Sequence, residues 1–176
     1  MRAFEATIHG RIRSAADQPW MPFSGRQVNT FGPLPQRFFL IEARRAGIPA
    51  TVLHVFDEHG ATMCGRLASL VTMFDVAGPE MDRAETVTLL DDLVLLAPAA
   101  LVDVPIEWIE LDDRHVHARY TRAGWTVAAT LVFDEAGDLV DLVSDDRARA
   151  SADGRKLTPM RWSTPVTARG ERGGRR

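Results

Sequence analysis

Apolar and polar residues alternate along most of this chain. Phe4, Ala6 and Ile8 alternate with Glu5, Thr7 and His9, the period of a half-buried strand. Residues 15–36 break the pattern. They are rich in Pro, Gly, Asn and Gln, with aromatic anchors at Trp20, Phe23 and Phe31, and read as a long loop. RFFLIEAR at 37–44 resumes a strand, Ala46-Gly47-Ile48-Pro49 turns, and TVLHVF at 51–56 is rich in β-branched and aromatic residues. After the turn Asp57-Glu58-His59-Gly60, residues 61–76 read as one long strand or a bent pair, with Gly65 marking a bulge. Later come four short strands, at 105–111, 114–121, 125–133 and 138–144. The turns between them (Asp112-Asp113, Arg122-Ala123-Gly124 and Asp134-Glu135-Ala136-Gly137) are too short for a parallel crossover, so the strands form an antiparallel meander. A final strand is expected at 159–168.

One segment changes period. In GPEMDRAETVTLLDDLVLLAPAAL at 78–101 the apolar residues Val87, Leu90, Leu93, Val94 and Ala97 share one side at 100° per residue. A helix is expected at about 82–97, entered after Pro79 and ended or kinked by Pro98. Asp82 and Glu85 have the spacing of a capping box at its start. Glu85, Thr88 and Asp92 fall on one narrow polar face, with Asp91 on its flank. That face is either an ordinary solvated stripe or the wall of a polar cleft. In the second case Asp92 is the carboxylate expected to work, meeting Asp145, Asp146 or Arg147 of the SDDR stretch. The pattern as a whole is α+β: an antiparallel sheet rich in meander, with one long helix on one face.

The 176 residues suit a single domain, taken as 1–168, followed by a basic tail at 169–176 expected to be disordered. The net charge of −3 gives no global basic field, which argues against a nucleic-acid partner. No stretch resembles a signal peptide or approaches the roughly 20 apolar residues of a membrane span, so the chain reads as soluble and, by default, cytoplasmic. The lone Cys64 lies in a strand-like apolar run, where a buried structural thiol is expected rather than a nucleophile. His115 and His117 share a strand face, but no third ligand is identifiable, so no metal is expected. No GxSxG, P-loop, HExxH, CxxC or GxGxxG motif is present, and no cofactor is implied.

The stretches WMPFSGRQ (20–27), FFLIEARRAGIP (38–49), GPEMDRAETVTLLDDLVLLAPAALVD (78–103), IEWIELDD (106–113), LVFDEAGDLVDLVSDDR (131–147) and RWSTPV (161–166) together resemble an uncharacterised bacterial domain-of-unknown-function family. The resemblance spans most of residues 4–168. It implies a fold similar to lipoprotein-carrier (LolA-like) domains: a curved antiparallel sheet, an incomplete barrel, closing over helical structure. It also implies an Asn where Asp91 stands, and a further hairpin and strand after RWSTP where this chain reads ARGERGGRR.

A curved sheet clasping a helix can leave an apolar cleft between the layers. The expected function is therefore a non-enzymatic binding domain for a hydrophobic or amphipathic, lipid-like molecule. Phe38, Leu40, Met63, Leu67, Leu90, Val94, Trp108 and Trp125 are the expected lining. The alternatives are a hydrolase or isomerase built on Glu85, Asp92, Asp145 or Asp146 with Arg147 and Arg161, and an interaction module that adds a partner strand to an open sheet edge.

Overall fold

The computed structural model describes residues 2–13, 15–122, 124–151 and 153–170. Six strands follow one another in a meander: β1 (Ala3–Ile12), β2 (Met21–Thr30), β3 (Gln36–Arg45), β4 (Ile48–Asp57), β5 (Gly60–Leu67) and β6 (Val71–Ala77). A second antiparallel sheet has the order β13-β10-β9-β8-β7, from β7 (Ile106–Asp112), β8 (His115–Arg122), β9 (Trp125–Phe133), β10 (Leu139–Ser144) and β13 (Trp162–Ser163). A small hairpin of β11 (Ala148–Ala150) and β12 (Leu157–Pro159) lies between β10 and β13 in the chain. Helix α1 (Pro79–Leu95) joins the two sheets and leads into a 3-10 turn at Pro98–Asp103. The architecture is α+β with curved sheets, as the alternation predicts, and no barrel closes among the described residues.

The helix packs against β5 and β6 on one side and against β8 and β9 on the other. Leu89, Leu90 and Leu93 are fully buried against Phe56, Tyr120, Val127 and Leu142. Each such leucine contributes roughly 1.5–3 kcal/mol. Buried between two sheets, the helix has little solvent face, and Glu85, Thr86, Thr88, Asp91 and Asp92 are buried with the leucines.

The helix start corrects the expected capping box. Gly78, at φ +104, is the N-cap, and Pro79 occupies the first helical position, where its missing N–H costs nothing. Asp82 is thus already inside the helix. Its Oδ1 accepts the backbone N–H of Ala61 at 2.6 Å, tying the helix to β5. Glu85 points inward rather than back toward the cap.

The expected loop at 15–36 also needs correction, because its middle, Met21–Thr30, is strand β2, paired with β1 and β3. Residues 61–76 are a hairpin broken at Ala68 and Ser69, both with positive φ, with a register shift at Gly65–Arg66. Cys64 is half-buried on the outer face, where it pairs with Leu53, and is not a core thiol. Of the final strand expected at 159–168, Trp162–Ser163 pairs with β10, and the N–H groups of Thr164 and Val166 continue along it to Leu142 and Val140. The tail is described as far as Gly170. Arg169 docks onto the β9–β10 turn, donating to the Leu139 carbonyl at 2.9 Å, and the remaining basic tail lies outside the described residues.

Candidate functional site

The inner face of the six-stranded sheet can be read from its register. One cross-strand row is Gly25, Ile41, Val52, Gly65 and Phe74, and the next is Gln27, Phe39, His54, Met63 and Val76. Where the helix leaves this face uncovered, a cleft of about 730 Å³ opens. Its back wall is Ile41, Ala43, Ala50, Val52, Met63 and Phe74. Its floor is the first half of α1, through Met81, Ala84 and Glu85. The β11–β12 hairpin and the strap leading into β13 form the third wall, with Leu157, Met160 and Trp162. Residues at the β1–β2 connection, Ile12, Arg13, Gln18 and Met21 among them, form the rim.

The walls are mostly apolar and notably rich in sulfur. The chain has six methionines, and every one beyond Met1 lines this cleft: Met21, Met63, Met73, Met81 and Met160. Methionine is flexible and polarisable, and is over-used on surfaces that accept varied apolar partners.

At the floor lies a cluster of buried ions. Glu85 Oε2 accepts from Arg37 Nη1 at 3.2 Å. Its Oε1 lies 3.4 Å from Thr88 Oγ1, 3.6 Å from His54 Nδ1 and 4.0 Å from Arg147 Nη2. Arg147 also donates to Thr88 Oγ1, and its guanidinium stands 4.1 Å from the centre of the Trp162 ring. Burial alone would push the Glu85 carboxyl up. His54, Arg37 and Arg147 together overcome it and hold the group well below the ordinary carboxylate range. Burial lowers the pKa of Arg147, and Glu85 opposes that.

Behind Glu85 the cluster continues away from the cleft. A single oxygen of Asp92, Oδ2, accepts from Gln27 Nε2 at 2.7 Å, Asn29 Nδ2 at 2.9 Å and Arg37 Nε at 2.8 Å. Arg37 thus bridges Glu85 and Asp92, and it is only 5 % exposed. Asp91 faces the other way. Its Oδ2 accepts from Thr164 Oγ1 at 3.1 Å, and Thr164 Oγ1 in turn accepts from Trp162 Nε1 at 2.8 Å. Asp91 Oδ1 is buried without a hydrogen-bond partner. Burial, helped by the charge of Asp92, pushes the Asp91 carboxyl up to about 6 against the pull of Thr164 and Arg147.

The expected residues divide accordingly. Glu85, Asp92 and Arg147 belong to the cluster, but Asp92 meets Arg37, Gln27 and Asn29 rather than the SDDR carboxylates. Asp145 is exposed and pairs loosely with Arg161 at 3.9 Å. Asp146 pairs with Arg83 and accepts the Ala128 N–H at 2.8 Å. Of the expected apolar lining, Met63 is on the cleft wall. Leu90 and Val94 are sealed in the core, and Phe38 and Leu40 stand exposed on the opposite face of β3. Trp108 is exposed on edge strand β7, Trp125 is half-buried on β9, and Leu67 is half-buried at the end of β5. His115 bonds Asp112 at 2.8 Å, and the described residues contain no cluster of three or more metal-ligating His, Cys, Asp or Glu side chains.

Arg37, Gln27, Asn29 and His54 were not anticipated. Gln27 and Asn29 do alternate with Arg26, Val28 and Thr30, but in the phase opposite to that set by hydrophobicity. A second buried arginine, Arg122, was also unforeseen. It donates to the carbonyls of Pro35 and Asp57 and lies over Phe56, fastening β8 to the first sheet.

A model of the family of unknown function DUF6544 matches residues 1–176, and the chain belongs to that family. No curated protein matches the chain. No solved structure matches it either.

Proposed function

We propose that this member of DUF6544 is a non-enzymatic binding domain that takes a hydrophobic or amphipathic, lipid-like small molecule into the cleft between the six-stranded sheet and α1. One observation carries the reading: the five methionines beyond Met1 converge on one cleft of about 730 Å³. That volume falls within the roughly 300–1,000 Å³ of small-molecule sites. A closed core would fill such a space, because packed interiors leave few voids larger than a water molecule. The fold that the sequence resemblance implies, that of lipoprotein-carrier domains, points the same way, although fold by itself does not fix function.

The carboxylate-enzyme reading has less support. A proton-transfer group works best with a pKa near the operating pH. Glu85, the carboxylate at the cleft, is held ionised by its cationic neighbours. Asp92 is engaged by three donors and does not line the cleft. Both are better suited to neutralising Arg37.

Native mass spectrometry of the purified chain offered saturated fatty acids should show a one-to-one complex. Val52→Trp, which places a large ring on the back wall, should abolish it while leaving the melting temperature within a few degrees. Absence of a complex with the wild-type chain would sink the proposal.

A further inference from the structure

The cleft's apolar walls end in a rim of arginine. Arg13, Arg45 and Arg149 all line it and are all exposed, whereas Arg147 lies deeper and is committed to Thr88, Glu85 and Trp162. They come from three separate places in the chain. Arg13 follows β1, Arg45 ends β3 on the same face as Ile41 and Ala43, and Arg149 is the middle residue of β11.

Their charges are largely uncompensated. Neither Arg45 nor Arg149 makes an ion pair among the described residues, although Arg26, Arg114 and Arg119 elsewhere on the surface each hold a carboxylate. Arg13 donates to the Ala16 carbonyl at 2.8 Å and lies 4.5 Å from the centre of the Trp20 ring, contacts that orient the guanidinium without neutralising it. Two carboxylates line the same cleft. Asp17 is at the rim, and Glu85 at the floor is already engaged by cations. The local excess is therefore positive in a chain whose net charge is −3, so it does not follow from composition. An arginine fork matches carboxylate and phosphate oxygens, and an apolar wall beside it focuses the field.

We infer that the cleft selects anionic amphiphiles, with the tail along the methionine walls and an acidic head group, carboxylate or phosphate, held at the mouth by Arg13, Arg45 and Arg149. This rests on the cleft being a binding site, and the test separates the two claims. Isothermal titration calorimetry on the full chain would compare decanoate, decyl phosphate, decanol and decyltrimethylammonium, all below their micelle concentrations. These probes share one tail and differ in head group. The anionic pair should bind about tenfold or more tightly than decanol, with the cation weakest, and the gap should narrow as salt is raised. The ratio of decanoate to decyl phosphate affinity identifies which acid the rim prefers. The double variant Arg45→Gln/Arg149→Gln should weaken both anions by about tenfold or more and leave decanol unchanged. Equal binding of decanol and the anions, or equal weakening of all probes in the double variant, overturns head-group selection while the apolar cleft stands. No binding of any probe overturns both.

Discussion

At Asp92 one carboxylate oxygen answers three donors. Buried amides and a guanidinium that converge on one acceptor depend on it heavily, because removing one partner of a buried pair leaves the other charge without compensation. Asp92→Ala leaves Asn29 Nδ2 and Arg37 Nε without their acceptor, with Glu85 as the remaining carboxylate on Arg37, and should destabilise the fold by about 3 kcal/mol in chemical denaturation. Asp145→Ala, at an exposed and loose ion pair, should cost less than about 1 kcal/mol. If the two variants proved equally mild, the buried cluster would not be holding the helix to the first sheet.

Asp91 gives a prediction of opposite sign. Its carboxyl is raised from 3.8 to about 6, so the folded chain binds the proton more tightly than the unfolded chain. Its contribution to stability is therefore greatest below pH 3.8, falls as pH rises toward about 6, and is lost above that. Asp91→Asn keeps an acceptor for Thr164 and removes the charge. It should stabilise the protein at neutral pH by on the order of 1–2 kcal/mol and have little effect near pH 3.5. Urea unfolding of both proteins across that range checks this, and a pH-independent difference would refute it. Glu85 moves the other way. Its ionised form supports the fold above 4.5, the ordinary value for glutamate, and that support fades as pH falls through its depressed folded value. The comparison of Asp91→Asn with wild type cancels this contribution.

At the scale of elements, packing makes specific demands on small residues. Gly65 lies on the inner face of β5 opposite Phe74, at the register shift, and a Cβ there would meet the Phe74 ring at 2.4 Å. Gly65→Ala should cost about 1–3 kcal/mol by thermal or urea unfolding, or push Phe74 into the cleft that it lines. A variant as stable as wild type with an unchanged cleft in its structure would contradict this. The bulge was legible in the sequence because a lone glycine in a strand pattern has few other uses. The break at Ala68-Ser69 was not, since neither residue marks a positive-φ turn. The meander from β7 to β10 was legible throughout. Its turns carry Asp and Gly, and its inward positions Ala118, Tyr120, Val127, Ala129, Leu131 and Leu142 keep the period of two.

β2 failed to show itself for a physical reason. Its inward residues are Gly25, Gln27 and Asn29, while Val28 is less buried than either of its inward neighbours. Hydrophobic alternation assigns the phase by placing apolar side chains inside. Here the interior holds Asp92 and Arg37, and polar partners are what that interior requires. The helix misled in the same way. Its polar face suggested solvent, because partners 55 and 65 residues away in the chain do not appear in a helical wheel.

Across the whole molecule, two curved sheets enclose one helix and leave part of the first sheet's inner face uncovered. Composition and alternation made that plan readable. The location of the cleft was less so, since its lining comes from all six strands of the first sheet, the β1–β2 connection, the helix and a C-terminal hairpin. Leu90 and Val94 were expected there and lie in the core, because the helix covers its own share of the sheet. The shared clue was the methionines, scattered in sequence and gathered in space. No helix among the described residues is long and apolar enough to cross a membrane.

The most direct test uses those methionines as reporters. In a chain labelled with carbon-13 at the methionine methyl groups, titration with decanoate should shift the resonances of Met21, Met63, Met73, Met81 and Met160 together along one saturable curve. Saturable decanoate binding that leaves these five signals in place would put the ligand elsewhere, and an unchanged spectrum with no binding would remove the lipid-like ligand altogether.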